Sequence, residues 1–197
     1  MRPEQQFFNS IAHKWDDTRI CDDKKIEKLV NMADIGEGDS VLDAGCGTGT
    51  LLPFLKKAVQ DSGQITALDF AELMIERAKE KNRHLTGISY VVGDIESFTT
   101  DTPFDKIVCL NFFPHIADKP AFVQKMKTLL KQGGSLVIMH DISRKAVNSI
   151  HRGCSAVQKD VLAESEFVCA LLAELGYTIA GTLENDELYF IKAVKTN

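Results

Sequence analysis

Two rhythms of apolar residues divide the chain. Short stretches rich in apolar residues, Val41-Leu42, Gln64 to Asp69, Ile88 to Gly93, Phe104 to Asn111 and the run through Leu136 to Met139, read as strands. Between them apolar residues recur at helical spacing: Ile26, Leu29, Val30 and Ala33, then Leu51, Leu52, Leu55, Ala58 and Val59, then Phe122, Val123, Met126, Leu129 and Leu130. A recurrence of three to four places those side chains on one helix face, whereas a short run bounded by turn residues suits a strand. Boundary residues agree with this division. Gly36-Glu37-Gly38-Asp39 is expected to end the first helix, Asp118 to cap a helix beginning near Pro120, and Gly133-Gly134 to turn that helix into the next strand. Ser143 stands at the N-cap of a helix reaching Ile150, Glu166 to Leu175 reads as a helix closed by Gly176, and Tyr177 to Gly181 with Glu187 to Lys192 as a final hairpin. Alternating strands and helices make this an α/β chain.

The most informative stretch is Val41-Leu42-Asp43-Ala44-Gly45-Cys46-Gly47-Thr48-Gly49, a strand running into a glycine-rich turn ahead of a helix. Glycines let a backbone pass close beneath a ligand, and a helix N-terminus offers unpaired N–H groups. A dinucleotide fingerprint would read G-x-G-x-x-G, but here the third glycine comes one residue early and Asp43 precedes the turn. An acid in that place repels a pyrophosphate and suits an ammonium or sulfonium. Asp69 ends the second strand, 24 positions after Gly45, where a carboxylate can accept ribose hydroxyls. Asp94 with Ile95 follows the third strand; taken alone, an Asp there is a cap or turn residue, and its register with Asp43 and Asp69 favours a binding role.

The Asp43 to Gly49 stretch closely resembles motif I of class I S-adenosylmethionine-dependent methyltransferases, and the stretches at Asp69 and Asp94 resemble their motifs II and III. Leu129-Leu130-Lys131-Gln132-Gly133-Gly134 is similar to the turn entering their fifth strand. The N-terminal Phe7-Phe8 to Trp15-Asp16 segment is similar to the ubiquinone/menaquinone-biosynthesis-like (methyltransferase type 11) branch. The resemblance implies a three-layer, Rossmann-like, doubly wound sheet of seven strands in the order 3-2-1-4-5-7-6, with strand 7 antiparallel. It implies S-adenosylmethionine as cofactor, leaving as S-adenosylhomocysteine, held by Asp43, Gly45, Cys46, Gly47 and Gly49 at the methionine part. Asp69 would then hold the ribose, Phe70, Met74, Asp94 and Ile95 the adenine, and Asn111 with Phe112 would lie where the methyl group leaves. Read without the resemblance, Met74 is a core residue. In this branch the N-terminal segment covers the cofactor pocket; Phe7, Phe8 and Trp15 are equally well placed to pad a core. The sequence Asn111-Phe112-Phe113-Pro114-His115 departs from the Asn/Asp-Pro-Pro-Tyr pattern of amino-group methyltransferases.

With 197 residues, 44% hydrophobic and 26% charged, the chain is expected to form one domain, with residues 1–35 as a helical cap and 141–165 as an inserted lid over the acceptor site. The net charge of −5 disfavours a nucleic-acid groove. Neither a membrane-spanning apolar run nor a signal-peptide core at Met1 to Gln6 is visible, and five cysteines without a C-x-x-C pair suit reduced thiols, so a cytoplasmic protein acting on a small-molecule acceptor is expected. The oligomeric state is open.

Methyl transfer from a sulfonium needs alignment and an outlet for the acceptor's proton. The candidate general bases are His115, His140 and His151, because imidazole titrates near neutrality. Arg144, Asn148 and His151 share a helix face by spacing and are read as acceptor-binding, with Trp15 added from the N-terminal cap. No metal is assigned, although three histidines on three loops, with Asp141 or Cys154, have the chemistry to hold one. Two rivals stand beside the methyltransferase reading: a non-catalytic S-adenosylmethionine-binding regulatory protein, and an NAD-linked oxidoreductase, which Asp43 and the glycine spacing disfavour.

Overall fold

The structure is a computed structural model describing residues 3–19 and 21–196. The expectation drawn from Met1 and Arg2 lies outside the described residues. The chain opens with α1 (Pro3–Ile11), a 3-10 turn (Ala12–Lys14), α2 (Trp15–Thr18) and α3 (Asp23–Ala33). Strands and helices then alternate: β1 (Ser40–Ala44), α4 (Leu52–Val59), β2 (Gln64–Asp69), α5 (Glu72–Lys81), β3 (Ile88–Val92) and β4 (Phe104–Leu110). After a second 3-10 turn (Phe113–His115) come α6 (Lys119–Leu129), β5 (Leu130–His140), α7 (Arg144–Arg152), α8 (Ser165–Glu174), β6 (Tyr177–Glu184) and β7 (Tyr189–Lys195). The strand order is β3-β2-β1-β4-β5-β7-β6, with β7 antiparallel to β5 and β6, as the resemblance implied. Backbone contacts divide the chain into two compact units, residues 1–98 and 99–197.

In the first unit β1, β2 and β3 pair in parallel, Asp43 opposite Ala67 and Asp69 opposite Val92. The predicted inner faces are the observed ones: Ile26, Leu29 and Ala33 of α3 and Leu52, Leu55 and Val59 of α4 are fully buried, while Ala58 is only half-buried. The helix stop after α3 differs from expectation. Asp34, not Gly36, takes the left-handed conformation (φ 55°), and its N–H bonds the Asn31 carbonyl. A short polar side chain tolerates that conformation, so the helix ends at Ala33, three residues before the first glycine.

In the second unit β4 and β5 are parallel and Ser135 to His140 are buried without interruption, as in a strand covered on both faces. Asp118 caps α6 as predicted, accepting from the Ala121 N–H at 2.9 Å. The Gly133-Gly134 turn is a bulge inside β5, not a loop before it. Phe104 pairs with Leu130 and Lys106 with Ser135, so β5 advances five residues while β4 advances two. Gly133 has φ +76°, and a Cβ on Gly134 would lie 3.0 Å from the carbonyls of Asp105 and Lys131, so the bulge requires both glycines. Among the described residues no helix is long and apolar enough to cross a membrane.

Candidate active site

The glycine turn after β1 is held from below by β2. Gly45, Gly47 and Gly49 all have positive φ (70°, 53° and 75°), a run that only glycine sustains cheaply. The N–H groups of Gly45 and Cys46 both donate to the Leu68 carbonyl. One residue on, Asp69 accepts the Gly47 N–H with Oδ2 and the Ala71 N–H with Oδ1, each at 2.9 Å. Its carboxylate therefore ties the glycine turn to the entry of α5. Asn82, buried on the last turn of that helix, donates to the Gly49 carbonyl at 3.2 Å. A Cβ on Gly49 would meet Asn82 Nδ2 at 2.7 Å and Leu52 Cδ1 at 2.8 Å, whereas a Cβ on Gly47 would meet nothing within 4 Å. The turn is thus closed on one side and open on the other.

Asp43 is 1% exposed, and its Oδ2 has no hydrogen-bond partner among the described residues. Burial, with the charge of Asp69 added, pushes its carboxyl up to about 8. A buried carboxylate with an unpaired oxygen is costly unless a cation or donor meets it, and an ammonium or sulfonium has the charge to do so. This fit covers Asp43, Gly47 and Asp69, not their neighbours. A raised folded-state value means that the stability of the protonated form is fully present below the ordinary carboxylate range, near 4, and is lost as pH rises to about 8. The apo protein is therefore expected to lose thermal stability across that window. Asp43→Asn should flatten the loss, as checked by melting temperatures at stepped pH.

The predicted adenine contacts are divided. Asp94 Oδ1 accepts the Glu96 N–H at 2.9 Å and its carbonyl takes the Ser97 and Phe98 N–H groups, so the turn role is realised. Ile95 is buried beside it. Met74 is buried with Ala12 and Ala71, and Phe8, Ile11, Trp15 and Phe70 pack around that cluster. Both Met74 and Trp15 therefore lie in the seam between the N-terminal helices and α5, Trp15 edge-on to Phe8 at 5.8 Å. Polar ties fasten the seam: Gln5 Nε2 donates to the Phe70 carbonyl at 2.6 Å, and Asn9 Oδ1 accepts the Leu73 N–H at 3.0 Å. Asp16 Oδ1 receives both the Thr48 hydroxyl (2.7 Å) and the Lys81 ammonium (2.9 Å), which joins the cap to the glycine turn itself. Burial alone would raise the Asp16 carboxyl, but these two bonds outweigh it and hold it below the usual range. Trp15 is the sole tryptophan. Asp16→Ala is expected to red-shift its fluorescence as the seam admits water, with about 1–3 kcal/mol lost because the buried Thr48 hydroxyl keeps no partner there.

In the second unit, Asn111 at the end of β4 has φ 55° and donates from Nδ2 to the buried Asp141 at 2.8 Å, and Phe112 stacks edge-on with Phe122. The three predicted bases separate. His115 and His151 meet, ring centroids 5.0 Å apart, whereas His140 is 1% exposed and edge-on to Tyr189. Among the described residues no group of three His, Cys, Asp or Glu side chains is placed to hold a metal ion, so the convergence of all three histidines does not occur. Arg144, Asn148 and His151 do share one face of α7, but each binds the chain that follows. Arg144 pairs with Glu164 and Glu184, Asn148 makes a two-way bond with the Leu162 backbone, and His151 Nδ1 bonds the Asp160 carbonyl. That face holds residues 153–164 in place. Sequence reasoning missed Asp16, Asn82 and Asp160, each of which acts on a partner far along the chain.

Comparison with known proteins supplies the family. The profile described as a methyltransferase domain matches residues 35–189, most of the chain. The chain belongs to this methyltransferase family. It is 31% identical over 138 residues to a demethylmenaquinone methyltransferase of Staphylococcus aureus, the match covering 67% of this chain and 57% of that one. It is 32% identical over 111 residues to an uncharacterised 37.1 kDa transposon protein of Streptomyces fradiae, covering 56% of this chain and 32% of that one. The chain thus spans about half or less of the curated relatives it matches. Among solved structures, a SAM-dependent methyltransferase from Aquifex aeolicus superposes with TM-score 0.74 at 23% identity, over 94% of this chain and 97% of that one. The N-methyltransferase NodS from Bradyrhizobium japonicum, solved with S-adenosyl-L-homocysteine, gives 0.75 at 19% identity over the whole of both chains. These likenesses establish the methyltransferase fold.

Proposed function

We propose that this methyltransferase-family chain moves a methyl group from S-adenosylmethionine to a small-molecule acceptor. The observation that carries the reading is the Asp43–Asp69 pair beside the glycine turn. Two neighbouring buried carboxylates, one with an unpaired oxygen, form a site short of positive charge. A pyrophosphate would add to the repulsion there, whereas a cationic ligand removes it. In this reading Asp43 faces the ligand's positive end, and the turn's Gly45, Cys46, Gly47 and Gly49 carry its methionine part. Asp69 accepts from the ribose hydroxyls while keeping the turn closed, and Phe70, Asp94 and Ile95 border the adenine. Asn111 and Phe112 are assigned to the methyl end by family resemblance, and His115 and His151 to the acceptor's proton. Bound S-adenosylmethionine supplies a methyl group on a neutral leaving group, so the chain's own residues need only align the acceptor and take that proton.

A labelled-methyl assay on small-molecule extract of the native host, followed by mass spectrometry of the product, tests the proposal. Label in a low-molecular-weight compound, absent when Asp43→Asn replaces the native chain, is the expected result. Tight S-adenosylmethionine binding with no label transferred to any fraction would instead favour a non-catalytic binder.

A further inference from the structure

Asp160 lies in the segment between α7 and α8 and touches two imidazoles in two ways. Its Oδ2 is 2.7 Å from His115 Nδ1, and its backbone carbonyl bonds His151 Nδ1. A carbonyl oxygen, like an ionised carboxylate oxygen, only accepts, so each bond requires the proton on Nδ1. In its neutral form each ring then carries its lone pair on Nε2, and the two lie side by side at 5.0 Å with 37° between their planes. The cluster is sheltered but reachable, His115 being 19% and Asp160 25% exposed at the side chain. Burial holds His151 below the usual imidazole range, with the neighbouring His115 adding to it and the bond to the Asp160 carbonyl opposing it. A further charge at the cluster is the half-buried Lys119 ammonium, which feels Asp160 and donates to the Ile116 carbonyl.

We propose that Asp160 is a positioning residue that fixes His115 and His151 in the Nδ1–H form, so that their Nε2 atoms serve as the proton acceptors for the nucleophile to be methylated. This rests on the methyltransferase reading above and restricts the acceptor to a protic nucleophile: a hydroxyl, phenol, thiol or amine. In the step, the bond from the nucleophile to the methyl carbon forms as the carbon–sulfur bond breaks. The electron pair of the X–H bond stays with the nucleophile, and its proton passes to His115 Nε2. The imidazolium that results is stabilised by the Asp160 carboxylate at its other nitrogen, the arrangement by which a carboxylate orients a catalytic histidine. Two rings this close resist carrying two charges, so the pair takes one proton per turnover.

The test is long-range 1H–15N correlation on the full chain labelled in histidine. Wild type is expected to show pyrrole-type Nδ1 and pyridine-type Nε2 for both rings. Asp160→Asn should abolish the single tautomer at His115 and leave His151 unchanged, since the carbonyl is untouched, and Asp160→Glu should restore it. With Asp160→Asn, turnover in the labelled-methyl assay should fall on the order of 100-fold at unchanged KM for S-adenosylmethionine. A proton on Nε2 of His115 in wild type overturns the inference whether or not the variant folds. Calorimetry with S-adenosylmethionine separates the two claims: binding with the wrong tautomer sinks only the role of Asp160, and the expected tautomers without binding sink the cofactor reading.

Discussion

Replacing Asp69 with alanine is expected to lower the affinity for S-adenosylmethionine by at least about 100-fold. The carboxylate holds two backbone N–H groups, of Gly47 and Ala71, and hydrogen bonds to a charged group contribute about 1.5–3 kcal/mol each. Losing both leaves the open side of the glycine turn unsupported, and a ligand must then pay for rebuilding it; about 3 kcal/mol corresponds to roughly two decades in affinity. Asp69→Asn keeps one acceptor oxygen and should fall between. A second consequence separates this account from a simple loss of a ribose contact. Asp69 helps to push the Asp43 carboxyl up to about 8, after burial, so Asp69→Ala should lower that value. The melting temperature of Asp69→Ala should accordingly stop falling with pH at a lower pH than that of wild type. Unchanged affinity, measured by calorimetry, would remove Asp69 from the site.

Gly49→Ala and Gly47→Ala should fail in different ways although both replace a glycine of positive φ in one turn. At Gly49 the new methyl would meet Asn82 and Leu52 below 3 Å, adding overpacking of about 1–3 kcal/mol to a backbone cost of about 1–2 kcal/mol. In a chain of this length that lowers the melting temperature by about 5 °C or more. At Gly47 only the backbone cost applies, because nothing lies within 4 Å, and the melting temperature should move by a few degrees at most. Its methyl would stand on the open side of the turn, where the cofactor is proposed to lie. Gly47→Ala should therefore lose binding out of proportion to stability, and Gly49→Ala stability first. Calorimetry and thermal melts on the same two proteins check the contrast, and equal effects on both quantities would contradict it.

What could be read from the residues was what is local. The strand ends at Asp69, Val92 and Leu110 fall within one residue of their expected places, because apolar runs and the acids that close them are written consecutively. Asp118 and Ser143 cap the helices they precede, since a cap acts within three residues. The Gly133-Gly134 pair was recognisable as a backbone irregularity, but the pattern does not distinguish a turn before a strand from a bulge within it, which depends on pairing with β4. The candidate site residues divide the same way. Asp43, the glycines and Asp69 announce themselves by spacing; Asp16, which reaches Thr48 and Lys81, and Asp160, which reaches His115, do not. Arg144, Asn148 and His151 show the converse. Helical spacing correctly puts them on one face, yet it says nothing of the returning segment at Asp160, Leu162 and Glu164 that binds them.

The central claim is that the turn after β1 is shaped for a positively charged nucleoside. Titration of S-adenosylmethionine into the chain above pH 8, where Asp43 carries its charge, with NAD as the comparison ligand and Asp43→Asn as the comparison protein, tests it directly. The account predicts saturable single-site binding of S-adenosylmethionine to the native chain, marked weakening in Asp43→Asn, and no binding of NAD. Binding of NAD in that turn, or S-adenosylmethionine affinity indifferent to the loss of the Asp43 charge, would contradict it.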